Sequence, residues 1–241
     1  MKFFRGEVLM ANLLDNVKTV GMCVARLTPR QNDCSFLAGA NAWVIPALSD
    51  LTVTPEYGTI GEIDETDLSG ASCFNNPETS YLKYYTVEAT FCNICPAALA
   101  AFTSMTSYTD GTDVVAYSID AAANKGRCDT TSVSKFVLEL FAKAQDGSSG
   151  CSPASASFVR YTLPLLYDVK LNEIPFTNDA STKFSFSAKA MPDNGAYGNG
   201  PFNDFAGGTL AEGAVFAFEA LPPATALPSP SCTPVLVPAQ V

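Results

Sequence analysis

Two pairs of closely spaced carboxylates are the first residues in this sequence that could carry out chemistry. Glu62 lies near Asp64, and Asp110 lies near Asp113. Two acids held at a set separation can hydrolyse a glycosidic bond. Both pairs lie in turn-rich polar segments, however, where acidic residues are common on any protein surface. The pattern therefore predicts no catalytic pair.

The cysteines allow three interpretations. The chain has eight cysteines, and Cys92 and Cys95 form a C-x-x-C motif, with Cys128 and Cys151 as possible partners. A common zinc module needs a second such pair or histidines, and a thioredoxin-type site needs a helix within a βαβ unit. We expect buried or incidental thiols, with a disulfide formed in a mature particle as the second interpretation and zinc as the third.

No other motif in the sequence indicates catalysis. The chain contains no histidine, which removes Ser-His-Asp and Cys-His mechanisms and every histidine-ligated metal site. The glycine-rich stretch 195–200 matches neither the dinucleotide fingerprint nor the P-loop, and no G-x-S-x-G motif occurs. We therefore expect a protein that is not an enzyme and holds no cofactor or metal.

Charge and hydropathy limit the partners. The net charge of −10 leaves no basic stripe for phosphates, so tight nucleic-acid binding is not expected. Arg5, Glu7 and Asp15 interrupt the apolar N-terminal run, which predicts no signal peptide. No stretch has the ~18 uncharged apolar residues of a membrane span. We expect a soluble protein that is made in the cytoplasm and has no membrane partner.

Alternating apolar and polar residues predict a mainly β fold. The pattern is longest in residues 158–172, where one face carries seven apolar side chains and the other carries Arg160, Thr162, Asp168, Lys170 and Asn172. A period of two over this length is typical of a strand with one buried face. Pro164 interrupts the strand and predicts an edge, a bulge or a bend.

The other elements follow from the same reasoning. Pro96 and the alanines after it predict one helix over 96–102. Trp43 is expected to anchor the core. The sequence predicts two packed β-sheets, as a sandwich or partial barrel, with one flanking α-helix. We expect an N-terminal arm (1–18), one β domain (19–220) and a proline-rich C-terminal arm (221–241) that either docks or stays disordered. Further strands are predicted at 20–27, 42–45, 51–54, 81–91, 114–119, 136–142, 183–190 and 215–220.

Several segments of the chain resemble the tail-tube proteins of long-tailed bacteriophages, particularly those that infect actinobacteria. The resemblance rests on three segments: a strand ending in TLPLLYD, a strand FSFSAKA, and a loop from Asn194 that closes in Gly198-Asn199-Gly200-Pro201-Phe202. It is densest over residues 130–205. It implies a virion protein that assembles with copies of itself into rings, typically hexameric, stacked into a hollow tube. Its partners would be further tail proteins and the genomic DNA that passes through during ejection without specific binding. The protein would reside in the virion tail after assembly in the host cytoplasm.

An acidic segment, residues 50–80, is the candidate assembly element. It has seven acids and no lysine or arginine, and Gly58, Gly61, Gly70 and Pro77 predict a long loop without regular structure. In tail-tube proteins such a loop reaches neighbouring subunits. We expect it to meet the polar strand faces, which are basic on balance (Lys83, Lys135, Glu139, Lys143, Arg160, Lys170, Lys183, Lys189). The candidate assembly residues are Glu56, Glu62, Asp64, Glu65 and Asp67.

Two alternative functions stay open at this point. One is another β-sandwich component of the virion, such as a tail terminator or a head decoration protein, which would not form long filaments. The other is an extracellular binding domain that contains disulfides. Eight free thiols would argue against that second alternative.

Overall fold

The computed structural model of the protein describes residues 19–30, 36, 38–46, 48–61, 63–66, 69, 72–76, 79–91, 95–103, 105–118, 135–144, 158–172, 183–192, 202, 210–221 and 225–238. The predicted N-terminal arm, residues 1–18, lies outside these ranges.

The described chain is mainly β with one helix, as the sequence predicts. The helix α1 (Pro96–Thr103) begins at the expected proline. The strands in chain order are β1 (Thr19–Arg30), β2 (Asn41–Pro46), β3 (Leu48–Ile60), β4 (Ile63–Thr66), β5 (Ser72–Asn76), β6 (Thr79–Phe91), β7 (Thr106–Asp110), β8 (Asp113–Ser118), β9 (Lys135–Ala144), β10 (Phe158–Leu171), β11 (Phe184–Ala190), β12 (Ala217–Ala220) and β13 (Val235–Leu236).

Nine of the described strands form one antiparallel sheet in the order β13-β2-β1-β9-β10-β11-β6-β3. The ninth strand, β12, pairs with the first half of β10, on the same edge that β11 uses further along. Two hairpins, β4–β5 and β7–β8, complete the described β structure. The longest strand, β10, is therefore the centre of the sheet.

A one-residue connection makes the sheet curl on itself. Only residue 47 separates β2 from β3, yet these strands lie near opposite ends of the strand order. A single residue spans only about 7 Å between its neighbouring Cα atoms, so both ends of the sheet must approach each other. The contact between β3 and β1 confirms this closure. The result is a partial barrel.

Pro164 produces the predicted irregularity in β10. The pairing of β10 with β9 shifts register between Leu163 and Leu166, on either side of this proline. Proline has no amide hydrogen to donate, so a bulge is a position that tolerates it. Its carbonyl accepts a hydrogen bond of 2.7 Å from Nη1 of Arg30, which ties the bulge to β1.

The inner face of the curled sheet forms the main core. Phe102 of α1 meets the ring of Phe136 edge-on at 5.2 Å between centroids, and Phe91 stacks on Phe186 at 5.4 Å. Trp43 is buried here as expected. Strands β1, β2, β3, β6, β9, β10 and β11 all contribute buried side chains to this cluster. The helix thus covers the space that the curved strands enclose.

The outer face of β1, β9 and β10 is also buried, which corrects the prediction of a strand with one buried face. Arg160 and Thr162, expected on a solvated polar face, are 1% and 0% exposed. Two further apolar clusters cover this side, one with Phe158 and Leu221, the other with Val137 and Val237. Chain segments after residue 200 supply these covering side chains, and alternation within a strand cannot reveal them.

A row of four buried charges crosses this outer face. Nε of Arg26 donates to Oε2 of Glu139 at 2.5 Å, and Nη2 donates to Oε1 at 2.9 Å. Nη1 of Arg160 contacts the same Oε1 at 3.2 Å, and its Nη2 contacts Glu219. The four residues lie on the adjacent strands β1, β9, β10 and β12. Opposite charges alternate along the row, so its formal net charge is zero.

The segment 50–80 is not the long irregular loop that its glycines and prolines suggested. Residues 48–60 form β3, which pairs with β6 along its whole length. Leu51 and Val53 pack against the core, and this inward alternation determines the strand. Between the two strands the chain forms the β4–β5 hairpin.

We predict that Glu139→Ala lowers the free energy of unfolding by about 3–5 kcal/mol, because it leaves the buried Arg26 guanidinium without its counter-charge. Urea unfolding at neutral pH measures this difference. The matched control is Glu88→Ala, which removes an exposed carboxylate from β6. A loss below about 1 kcal/mol for Glu139→Ala would mean that the row is not a coupled buried unit.

Candidate functional site

The outer ends of β3 and β6 form an exposed two-stranded ribbon, here called the arm (residues 57–60 and 79–82). Tyr57 is 64%, Ile60 50% and Tyr81 47% exposed, and Leu82 is exposed as well. The two strands are paired with each other in the register Tyr57↔Leu82 and Gly58↔Tyr81. A ribbon of this kind with exposed apolar side chains is typical of a surface that a partner covers.

Gly58 allows the arm to pack closely on itself. A Cβ atom at this position would lie 2.4 Å from Cε of Lys83 and 2.7 Å from Cζ of Tyr81. Glycine therefore leaves room for the Tyr81 ring to lie over the β3 backbone. The sequence suggested that this glycine breaks regular structure, whereas in the protein it lies within a strand.

The β7–β8 hairpin is a second exposed ribbon. Every residue of β7 and most of β8 are exposed, including Tyr108, Val114 and Val115. Gly111 has a φ of 66° at the first position of its two-residue turn, which fits a type II′ hairpin. The sequence analysis identified β8 but not its partner strand. The Gly111 turn between two β-branched runs was the available signal.

A third apolar surface lies on β12 and the start of β10. The rings of Phe216 and Phe218 are exposed and lie 6.0 and 6.3 Å from the ring of Tyr161. These aromatic side chains project on the side of the sheet that faces the main core, where Tyr161 packs at its margin. Most of the large exposed apolar side chains of the described chain thus lie on the arm, on the β7–β8 hairpin and on this strand edge, and the others are Met191, Val235 and Leu236.

The predicted acidic assembly residues do not come together as one described cluster. Glu56 lies half-buried in β3 opposite Tyr84, and its Oε1 is 3.5 Å from Oγ1 of Thr86. Asp64 and Glu65 lie in β4, where they pair with Asn75 and Phe74 of β5. Glu62 and Asp67 lie outside the described residues.

The predicted basic strand faces are only partly available to a partner. Glu139, Lys143 and Arg160 are buried, so they cannot meet an acidic segment of another subunit. Lys83, Lys170 and Lys183 are exposed. Sequence reasoning also missed Arg26 and Glu219, the outer members of the buried row. The available signal was that each lies within a short apolar stretch of its strand, residues 24–27 and 217–220.

The bulge in β10 holds a small ionic group on the surface. Between Tyr167 and Lys170 the pairing with β11 shifts, and Asp168 adopts a φ of 54°. Aspartate is one of the few residues that tolerate this left-handed backbone. Its Oδ2 lies 3.1 Å from Nζ of Lys189 and 3.2 Å from Nζ of Lys170. Nζ of Lys189 also lies 5.3 Å from the centre of the Tyr84 ring.

These contacts move the pKa values of the group in opposite directions. Partial burial by itself would raise the pKa of Asp168, but hydrogen bonds from Lys189 and Lys170 outweigh it and hold the pKa below the ordinary 3.8. The hydrogen bond to Asp168 raises the pKa of Lys189 above its ordinary 10.5. Burial raises the pKa of Tyr167. The ion pair is therefore fully charged at neutral pH.

Of the two carboxylate pairs of the sequence, only Asp110 and Asp113 lie wholly within the described residues. Asp110 and Asp113 are both exposed, and they form the residue pair of β7 and β8 that lies next to the turn. Among the described residues, no group of three or more histidine, cysteine, aspartate or glutamate side chains could hold a metal ion.

Disulfides replace the expected buried thiols at three positions. Cys95 is bonded to Cys232, with their Cα atoms 5.4 Å apart, and Cys23 is also disulfide-bonded. Disulfide bonds are thus present at these residues, and the expectation of buried thiols is wrong for them. Cys92, Cys128 and Cys151 lie outside the described residues. The Cys95–Cys232 pairing spans 137 residues, and no local motif could indicate it.

Comparison with known proteins gives no family for the chain. No protein-family model matches it, and no curated protein matches its sequence. Within the described ranges, no helix has the length and apolar character needed to cross a membrane.

We predict that Asp168→Asn lowers stability at neutral pH but not in acid. Asparagine keeps the shape and tolerates the positive φ, so the change removes only the charge. Because the folded-state pKa of Asp168 is depressed, its stabilising contribution is present above pH 3.8 and is lost as the pH falls through the lower folded value.

Urea unfolding of both proteins between pH 7 and pH 3 measures this difference. The two stability curves should converge below pH 3.8. Asp113→Asn, on an exposed hairpin, is the matched control. A constant gap between wild type and Asp168→Asn across the whole range would contradict the assigned ion pair.

Proposed function

We propose that this chain is a structural subunit that assembles with copies of itself into stacked rings, forming the tail tube of a long-tailed bacteriophage. The observation that carries the proposal is the arm, a paired ribbon whose apolar side chains Tyr57, Ile60 and Tyr81 face solvent in the single chain. The resemblance of residues 130–205 to tail-tube proteins supplies the identity of the assembly.

The physical case for assembly begins with the edge of the sheet. In the described chain β3 pairs with β6 alone, so its outer edge carries unpaired backbone groups. An open edge next to exposed apolar side chains promotes association in a monomer. A ring of identical subunits covers every such edge, and stacking of rings through unlike surfaces continues without a built-in limit.

Charge is consistent with a conduit for DNA. The net charge of −10 disfavours binding of phosphate groups, and a lumen through which DNA slides requires low affinity. In this proposal the protein is not an enzyme, and its partners are its own copies, typically six to a ring, and further tail proteins. Assembly takes place in the host cytoplasm, and the mature location is the virion tail.

The disulfides favour a second candidate, an extracellular binding domain. Disulfides form and persist in oxidising environments, and Cys23, Cys95 and Cys232 are all bonded. A virion released from its host meets the same environment. Self-assembly therefore discriminates between the two candidates, because only the tube subunit forms long hollow filaments. The same test separates the tube subunit from other virion components.

We predict that the purified protein forms hollow filaments in negative-stain images and that Tyr57→Ser/Ile60→Ser/Tyr81→Ser does not. The three side chains are 64%, 50% and 47% exposed in the single chain and lie outside the main core, so the fold should persist. Circular dichroism and the urea midpoint of the variant should match the wild type. The conservative control Tyr57→Phe/Tyr81→Phe keeps the apolar rings and should still assemble.

A wild-type protein that stays monomeric at every concentration would contradict the tube proposal. Filament formation by the triple serine variant would instead show that assembly uses another surface, which would remove the arm from the proposal.

We also predict that reversing Glu62, Asp64, Glu65 and Asp67 to lysine impairs tube formation without unfolding the subunit. The acidic segment would then repel the exposed Lys83, Lys170 and Lys183 of a neighbouring copy. Sedimentation and negative-stain imaging measure assembly, and circular dichroism measures folding. Unchanged assembly would reject a role for this segment.

A further inference from the structure

The C-terminal segment of residues 225–238, here called the clasp, lies along the outer edge of β2. The amide of Ser231 donates to the carbonyl of Val44 at 3.1 Å. Further along, the amide of Val237 donates to Ala40 at 2.9 Å, and the amide of Gly39 donates to Val237 at 2.8 Å. The two-residue strand β13 pairs with β2 between these bonds. The clasp thus occupies the edge that β2 would otherwise expose.

The clasp also covers the apolar outer face of the sheet at two points. Leu227 packs against the cluster that contains Val44 and Phe158. Val237 is buried in the cluster that contains Phe36 and Val137. Between these two side chains most of the clasp is exposed, including Val235 and Leu236 of β13. Its apolar contacts with the sheet are therefore concentrated at its two ends.

The disulfide lies between these two points of attachment. Cys232 is exposed, and it joins the clasp to Cys95, the residue directly before α1. The carbonyl of Cys95 accepts the hydrogen bond from the amide of Leu99, so its position is set by the first turn of the helix. The bond therefore connects a segment on the β2 edge to the rigid helix that packs in the main core.

We propose that the Cys95–Cys232 disulfide is a redox-controlled lock on the clasp: the intact bond keeps the β2 edge covered, and its reduction releases residues 225–238. A two-residue strand, three further backbone hydrogen bonds and two apolar side chains form a weak attachment, because a short pairing at a sheet edge is marginal in water. The covalent bond holds the segment near its site and so raises the effective concentration at which it rebinds. This inference does not depend on the proposed tube function.

The reducing agent is a dithiol. One of its thiolates attacks a sulfur of the disulfide to give a mixed disulfide, which its second thiol resolves. The dithiol is oxidised to its cyclic disulfide, and Cys95 and Cys232 each end as a thiol with one added proton. Cys232 is the more exposed residue of the pair, so the thiolate attacks the sulfur of Cys232. No backbone bond is broken, so reoxidation restores the lock.

Hydrogen exchange on the full-length chain, before and after dithiothreitol at neutral pH, tests the proposal. Reduction should lower the protection of the Gly39, Ser231 and Val237 amides by at least roughly tenfold. Amides of β9 in the sheet interior should keep their protection. Unchanged exchange in the clasp would overturn the proposal, and so would equal loss of protection in β9, because the lock acts locally.

Two cysteine variants separate this bond from the disulfide of Cys23. Cys232→Ser should show the released clasp already in oxidising buffer, with no further change in the clasp on reduction. Cys23→Ser should keep the clasp protected until the reductant is added. A Cys232→Ser variant whose clasp stays protected would overturn the proposal. If that variant does not fold, reduction of the folded wild type, followed by mass spectrometry of the two thiols, gives the same answer.

Discussion

The row of buried charges on β1, β9, β10 and β12 constrains the arrangement of the sheet. Arg26 and Arg160 are tolerated on this outer face because each contacts a carboxylate on a neighbouring strand. Arg26 faces Glu139 in the β1–β9 register, and Arg160 faces Glu219 in the β10–β12 register. A slip of one residue in either pairing would place a guanidinium against an apolar side chain. The row thus favours one register for each strand, and this register places the residues that cover the outer face.

The covering layer depends on this row in turn. The ring of Phe202 lies 4.2 Å from Cζ of Arg26, and the ring of Phe141 lies 5.6 Å from the same atom. Phe202 is the last residue of the glycine-rich loop that resembles tail-tube proteins. Its role in this chain is to shield a paired guanidinium from water, which strengthens the ion pair in a low-dielectric environment. Segments after β11 therefore cover the outer face of the sheet, whereas the arm and the β7–β8 hairpin expose their side chains to solvent.

The sequence predicted those parts of the fold that depend on local pattern. Alternation located β6, β9, β10 and β11, and Pro96 located the helix, because each is determined by residues close in the chain. The burial of Arg160 and the Cys95–Cys232 bond depend on residues 59 and 137 positions away, which no local pattern contains. The arm was misread for another reason. A glycine usually weakens a strand, but Gly58 leaves space for the Tyr81 ring. Only the pairing of β3 with β6 reveals this requirement.

We propose that a second copy of the chain covers the arm, whose apolar side chains face solvent in the single chain. Hydrogen exchange of the dilute monomer and of the sedimented assembly tests this proposal. Amides of residues 57–60 and 79–82 should gain strong protection on assembly, whereas amides of β9 should exchange equally slowly in both states. Assemblies in which the arm exchanges as fast as in the monomer would contradict it.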